Sequence, residues 1–250
     1  MCTVTVIPTP RGQRLVCNRD EHRTRPMSTG PVVRAAGGRA VVMPIDPPSG
    51  GSWIGASDAG LVACLLNANP GRSRTPASRW AGRSSRGLIV PVALCEKSLD
   101  DALAAVASLG RDRFPPFRLL LVLEGWHAAV ACDGVALTLT RPAPLSEPLL
   151  LTSSGLGDDL VESPRRALFA RMLRDQSDAS AQDRFHAHRW HDRPHLSVLM
   201  SRPDARTVSR TTIDVAPAGI ELRHGWLADD LAELHASVRT LTPRSALQAA

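Results

Sequence analysis

The chain has no tyrosine and only four phenylalanines, and Lys97 is its single lysine. The other 29 basic residues are arginines, interleaved with Asp and Glu along the chain, so the net charge of +6 does not gather into one run. With few rings to stack bases and no basic stripe to track phosphates, nucleic-acid binding is not expected. Arginine and alanine in place of lysine instead suit a GC-rich bacterial genome. No apolar run approaches the roughly 20 residues that span a bilayer. Pro8 and Pro10 interrupt the first apolar stretch, so no leader is read there either. The five cysteines are scattered, odd in number and without a Cys-x-x-Cys pair, which argues against a disulfide framework or a cysteine zinc site. Cys17, Cys64, Cys95 and Cys132 lie in or beside apolar runs and read as small buried residues. A reduced, cytoplasmic protein with no membrane span is expected.

What is present is the composition of a globular chain: 43% hydrophobic and 22% charged residues over 250 positions. Alternating apolar patterns predict strands at 2–7, 14–18, 39–43, 53–56, 61–67, 118–123, 127–132, 135–140, 149–152, 196–200, 206–215 and 220–223. Helices are predicted after the Ser98–Asp101 capping box, from Ser163-Pro164 to about Arg174, and over 226–239. Residues 22–38 and 72–86 read as loops. The expected organisation is α+β, a single domain over 1–240 with a loose tail at 241–250.

Cys2 directly follows the initiator methionine and is small enough for an aminopeptidase to remove Met1. Removal would leave a thiol and a free α-amine on one residue. An amine with a pKa of roughly 7.7–8.0 can serve as the base for its own side chain. The turn Pro8-Thr9-Pro10-Arg11-Gly12 joins the first two strands as a hairpin. If it centres near Arg11, Cys2 lies opposite Asp20, with Cα atoms about 4.5–5.5 Å apart. A one-residue slip would present Arg19 or Glu21 instead. Either way the hairpin sets a nucleophile beside Asn18-Arg19-Asp20-Glu21.

Met1-Cys2-Thr3 followed by Asn18-Arg19-Asp20-Glu21 and Arg25-Pro26 resembles the NRDE family, also called the Transport and Golgi organisation family. Gly50-Gly51-Ser52-Trp53-Ile54-Gly55, Gly60-Leu61 and Leu66-Asn67 are similar to its GGTWxG…G…LTN block, and Ser85-Arg86-Gly87 to its SRG element. The resemblance is close over about the first 90 residues and loose beyond. That family in turn looks like the cysteine branch of the N-terminal-nucleophile hydrolases, which includes penicillin V acylases and bile-salt hydrolases. The resemblance implies a four-layer αββα sandwich of two mainly antiparallel sheets. It also implies a Cys2 thiolate that attacks the carbonyl of a linear C–N amide and forms a thioester, with no cofactor required. On the same resemblance, Asp20 matches the aspartate that orients the N-terminal amine. Arg19 is the candidate cation beside the thiolate, Asn18 belongs to the same motif, and Asn67 matches the position whose backbone N–H serves the oxyanion hole.

Two departures stand out. The acylase pattern has an oxyanion-hole asparagine where this chain reads Thr152-Ser153-Ser154, and its arginine precedes Asn-x-Asp where this chain has Cys17. In a regular strand Asn18 and Asp20 share one face and Arg19 the other. Arg19 then reaches Cys2 only across a bulge or at the strand's end, and is otherwise a structural ion-pair residue.

Other features carry competing readings. His186, His188, His191 and His195 could hold a transition metal or a haem iron, or simply belong to an Arg- and His-rich loop. Trp53 is a core anchor or a pocket wall. Asp58-Ala59-Gly60 is a hairpin turn, and Gly50-Gly51 is a turn with no following helix, hence no phosphate loop. Two functions remain open: an amidohydrolase acting on a small-molecule amide, and a non-catalytic carrier of haem or an acyl ligand. Nothing in the sequence fixes an oligomeric state.

Overall fold

The structure, a computed structural model, describes residues 2–69, 80, 82–174 and 177–244. One sheet contains β1 (Cys2–Thr9), β2 (Gly12–His22), β11 (Leu149–Thr152), β12 (Ala205–Ala216), β13 (Gly219–Leu227) and β14 (Glu233–Leu241). Its order is β11-β1-β2-β12-β13-β14. The other contains β3 (Val32–Ala36), β4 (Arg39–Met43), β5 (Ile54–Ser57), β6 (Val62–Asn67), β7 (Phe117–Leu123), β8 (Trp126–Cys132) and β10 (Ala143–Pro144). These run β10-β8-β7-β6-β5-β4-β3, and β9 (Leu137–Leu139) pairs with β8. Every pairing is antiparallel.

The sheets are stacked face to face. Val4, Val6, Leu15 and Cys17 of the first meet Ile54, Val62, Cys64 and Leu120 of the second in one buried cluster. The opposite face of the second sheet is covered by α1 (Ile89–Leu94) and α2 (Leu99–Ser108), packed on Ala63, Leu65 and Leu119. The outer face of the first is covered by α3 (Asp158–Leu173) and α4 (Ala179–Ala187) through Leu168 and Phe185, which meet Ile7 and Leu150. The result is the expected αββα sandwich. Strands such as β7, FRLLLVL, are apolar on both faces because both faces are covered.

The register of the first hairpin differs from the expected one by one residue. Thr9 pairs with Gly12, leaving Pro10-Arg11 as a two-residue turn, and Cys2 therefore faces Arg19 instead of Asp20. Gly12 explains the tightness: its φ is +150°, and a Cβ there would sit 2.1 Å from the Val215 carbonyl oxygen of β12. β1 itself is interior, bonded to β2 on one side and β11 on the other.

Several local expectations were displaced. The 22–38 loop contains β3, and α1 and α4 carried no clear sequence signal. α3 starts at Asp158, upstream of Ser163, and takes Pro164 into its interior. The 196–200 stretch is a 3-10 turn at Pro194–Leu196 followed by irregular chain. Over 226–239 a strand replaces the expected helix. Trp226 stacks on His235 directly across the β13–β14 ladder, and Arg223 ion-pairs with Glu233. Cross-strand partners there outweigh the helix propensity of Ala, Leu and Glu. The 72–86 stretch lies largely outside the described residues, as do 245–250; Leu241 closes β14 and Arg244 ion-pairs with Asp58. Among the described residues no helix is long and apolar enough to cross a membrane.

Candidate active site

A cavity of about 480 Å³ opens at the head of β1, with Cys2, Arg19, Trp53, Asn67 and Arg86 in its wall. Cys2 is buried, and both its backbone polar atoms meet Ser153 at the end of β11. Its nitrogen, which Met1 removal would make an α-amine, donates to Ser153 Oγ at 3.1 Å. Its carbonyl accepts from Ser153 N at 2.9 Å. The thiol is held well above the ordinary cysteine range, first by a hydrogen bond with the Cys17 thiol and then by burial. Cys17, whose Sγ donates to the Asn18 carbonyl at 3.7 Å, and Cys64 are buried in the same inter-sheet core.

Arg19, cross-strand from Cys2, shares its face without any bulge between them. The guanidinium lies 4.4 Å from the centroid of the Trp53 ring, and its Nη2 donates to Asp46 Oδ1 at 2.8 Å. Trp53 thus serves both readings, packing into the inter-sheet core and lining the cavity. Arg25 grips the same Asp46 with two hydrogen bonds, Nε to Oδ1 at 2.9 Å and Nη2 to Oδ2 at 2.6 Å, and Ser49 Oγ adds a third partner at 2.7 Å. Burial alone would raise the Asp46 pKa; Arg25, Ser49 and Arg19 together outweigh it and hold the carboxyl below its usual value.

The register sends Asn18 and Asp20 to the other face of β2. Asn18 Nδ2 donates to the carbonyls of His186 (2.8 Å) and Val198 (3.0 Å), fastening the end of α4 and the chain beyond it to the sheet. Asp20 accepts from Thr207 Oγ1 at 2.7 Å; burial raises its pKa, opposed by Arg165 and by that hydrogen bond. One residue past Arg19, Asp20 lies beyond the last paired residue of β1, and its charge adds to the upward push on the Cys2 thiol. The structure therefore brings Cys2, Arg19 and Asn67 to one cavity and sets Asn18 and Asp20 behind it.

Several residues in or around the wall had no assigned role. Asp158 accepts from the backbone nitrogens of Ser154 (2.8 Å) and Asn69 (2.9 Å) and is ion-paired to Arg118, tying the end of β11 to the chain after β6. Gly51 and Gly87, from the two glycine-bearing motifs, touch backbone to backbone. A Cβ on Gly51 would lie 2.4 Å from the Gly87 carbonyl carbon, and Ser52 N donates to Gly87 O at 3.0 Å. Asp46 had no readable signal, because nothing in the spacing links it to Arg19 or Arg25.

The histidine cluster does not converge. His186 is buried against Thr5 Oγ1 (2.8 Å) and kept neutral by burial, while His188 packs on Trp190. Among the described residues no three His, Cys, Asp or Glu side chains gather as a metal site.

Two antiparallel sheets between helical layers, with a cysteine heading an interior strand at a cavity, define an N-terminal-nucleophile hydrolase-like fold. The sequence profile of Transport and Golgi organisation 2 matches residues 1–164, and the chain belongs to that family. Among solved structures, a Caenorhabditis elegans N-acylethanolamine-hydrolyzing acid amidase ortholog is similar at a TM-score of 0.56 and 12% identity. That match covers 85% of this chain and 92% of the other. The C2A mutant of conjugated bile acid hydrolase from Clostridium perfringens is similar at a TM-score of 0.52 and 11% identity, over 98% and 94%. At these identities the likeness is one of fold. No curated protein matches the sequence.

Proposed function

We propose that the protein is a cysteine amidohydrolase that cleaves a linear C–N amide bond after loss of Met1. The observation that carries this reading is the placement of Cys2: at the cavity wall, its nitrogen fixed by Ser153 and a cation directly across the ladder. The thiol is stored protonated, so the reaction needs a base, and the α-amine of the same residue supplies it. The amine takes the thiol proton as sulfur adds to the carbonyl carbon, giving a tetrahedral oxyanion. It returns the proton to the departing nitrogen, leaving a thioester; water then releases the acid and restores the thiol.

Ser153 shapes the expected rate. Where the acylase pattern puts a side-chain amide donor for the oxyanion, Ser153 is engaged with the Cys2 nitrogen. A missing oxyanion donor costs on the order of 10²–10³ in rate, so slow turnover is expected, with Asn67 on the oxyanion side.

Intact-mass analysis with a panel of acyl amides tests the reading. Loss of Met1 and a thioester adduct that vanishes in Cys2→Ala support it. Retained Met1, or no adduct from any amide, sinks it. Haem titration of the same samples covers the carrier alternative, in which a Soret shift lost in Cys2→Ala or histidine variants would mark the cavity as a haem site.

A further inference from the structure

Four described arginines line the cavity, and three have carboxylate partners: Arg19 and Arg25 share Asp46 and Glu21, and Arg202 pairs with Asp204 at 2.8 Å. Arg86 is the exception. Its Nη1 donates to the Pro116 carbonyl at 2.8 Å, and no carboxylate among the described residues lies within ion-pair distance. Nε and Nη2 have no hydrogen-bond partner among the described residues, and Arg86 is part of the cavity wall. Glu21 and Cys2 couple to Arg86 only through space, which places it within electrostatic range of the nucleophile. Burial pulls its pKa down to about 10, so it stays cationic at neutral pH.

The guanidinium is also held in place from behind. Arg86 opens a 3-10 turn whose first free N–H, from Gly87, is capped by Ser85 Oγ at 3.3 Å. The Gly51–Gly87 backbone contact pins that turn to the chain leading into β5. A partly buried, fixed cation without a counter-charge costs free energy unless an anion arrives. Its two free donor nitrogens match the fork that binds a carboxylate or phosphate in bidentate fashion.

We propose that Arg86 is the site's anion-recognition residue, so that the amide substrates carry an oxyanion such as a carboxylate, phosphate or sulfonate beside the scissile bond. The inference rests on the amidohydrolase reading for its chemistry but not for its binding test. The oxyanion can sit on either product half: on the amine released or on the acyl group retained by Cys2. Three probes separate these cases: N-hexanoylglycine, with the charge on the amine side; N-hexylsuccinamic acid, with it on the acyl side; and the neutral N-hexanoylglycinamide.

Binding is measured by calorimetry on the Cys2→Ala protein, where no turnover intervenes. At least one acidic probe should bind about tenfold to a hundredfold tighter than the neutral one, as expected for charge-assisted hydrogen bonds. That preference should fall with added salt, disappear in Cys2→Ala/Arg86→Gln and persist in part in Cys2→Ala/Arg86→Lys. Equal binding of all three probes, no binding of any, or a preference that survives Arg86→Gln overturns the proposal. Should Arg86→Gln fail to fold, the salt dependence and the Arg86→Lys variant still decide. In protein with an intact Cys2, a thioester formed equally from the neutral probe removes the anion requirement and leaves the hydrolase standing. Arg86-dependent binding with no thioester from any amide does the reverse.

Discussion

Ser153 and Cys2 hold each other through two hydrogen bonds, from the Cys2 nitrogen to Ser153 Oγ at 3.1 Å and from Ser153 N to the Cys2 carbonyl at 2.9 Å. The first aims the proposed base. The second is an ordinary sheet contact and survives any substitution except proline. Ser153→Ala therefore removes the aiming contact and keeps the strand pairing. A neutral hydrogen bond contributes about 0.5–1.5 kcal/mol, so single-turnover thioester formation should slow by roughly three- to tenfold with little change in melting temperature. An unchanged acylation rate would show that the amine is oriented from elsewhere.

Cys17 is the main reason the Cys2 thiol is hard to ionise. A raised thiol pKa means that less thiolate is present at any given pH, and that alkylation of Cys2 climbs only at high pH. Cys17→Ala takes away the leading cause. The pH profile of iodoacetamide modification at Cys2, followed by peptide mass mapping, should move to lower pH in that variant. A superimposable pair of profiles would mean that burial alone sets the value.

His224 sits with its two ring nitrogens on Thr211 Oγ1 (2.8 Å) and Ser28 Oγ (3.0 Å), between Trp53 and Trp226. Burial, then the charges of Arg19 and His235, push its pKa down to about 3. The unfolded chain takes up this proton near pH 6.5 and the folded one does not. Stability from this group is therefore complete above about pH 6.5 and lost as pH falls toward 3, at roughly 1.4 kcal/mol per pH unit. Urea melts at pH 7, 5.5 and 4 should show a steeper decline for the parent protein than for His224→Gln; parallel declines would refute the assignment.

Asp46 behaves in the carboxylate sense. Its pKa is lowered, so its contribution is present above the unfolded value near 4 and disappears as pH falls through the folded one. Asp46→Asn leaves Arg19 and Arg25 with Glu21 alone as their shared counter-ion, at 3.4 and 3.5 Å. The loss at neutral pH should be about 1–3 kcal/mol, because Glu21 remains and Arg25 is 34% exposed to screening water. Denaturation at neutral pH and at pH 3 checks it: the gap between parent and variant should shrink in acid.

The layered fold was legible because alternating apolar runs mark strands with one buried face and the motifs around Cys2 are ordered along the chain. The hairpin was legible to within one residue, and that residue mattered. A turn centred on Arg11 puts Asp20 beside the thiol, whereas the two-residue turn Pro10-Arg11 puts Arg19 there. Sequence spacing alone does not tell a two-residue turn from a three-residue one. The same blindness hid Asp46, whose partners are 27 and 21 residues away. It also hid the contact that makes two glycine motifs one structure. At 226–239 local composition favoured a helix, and the partner strand, known only in three dimensions, overruled it.

Chain ends usually fray, opening on their own with almost no free-energy cost. Here the reactive end lies in an interior strand paired on both sides. The amides from Thr3 to Val6 should exchange with deuterium only when the whole sheet comes apart. The proposed nucleophile then has no private unfolding equilibrium: its lifetime in this geometry is the lifetime of the native protein.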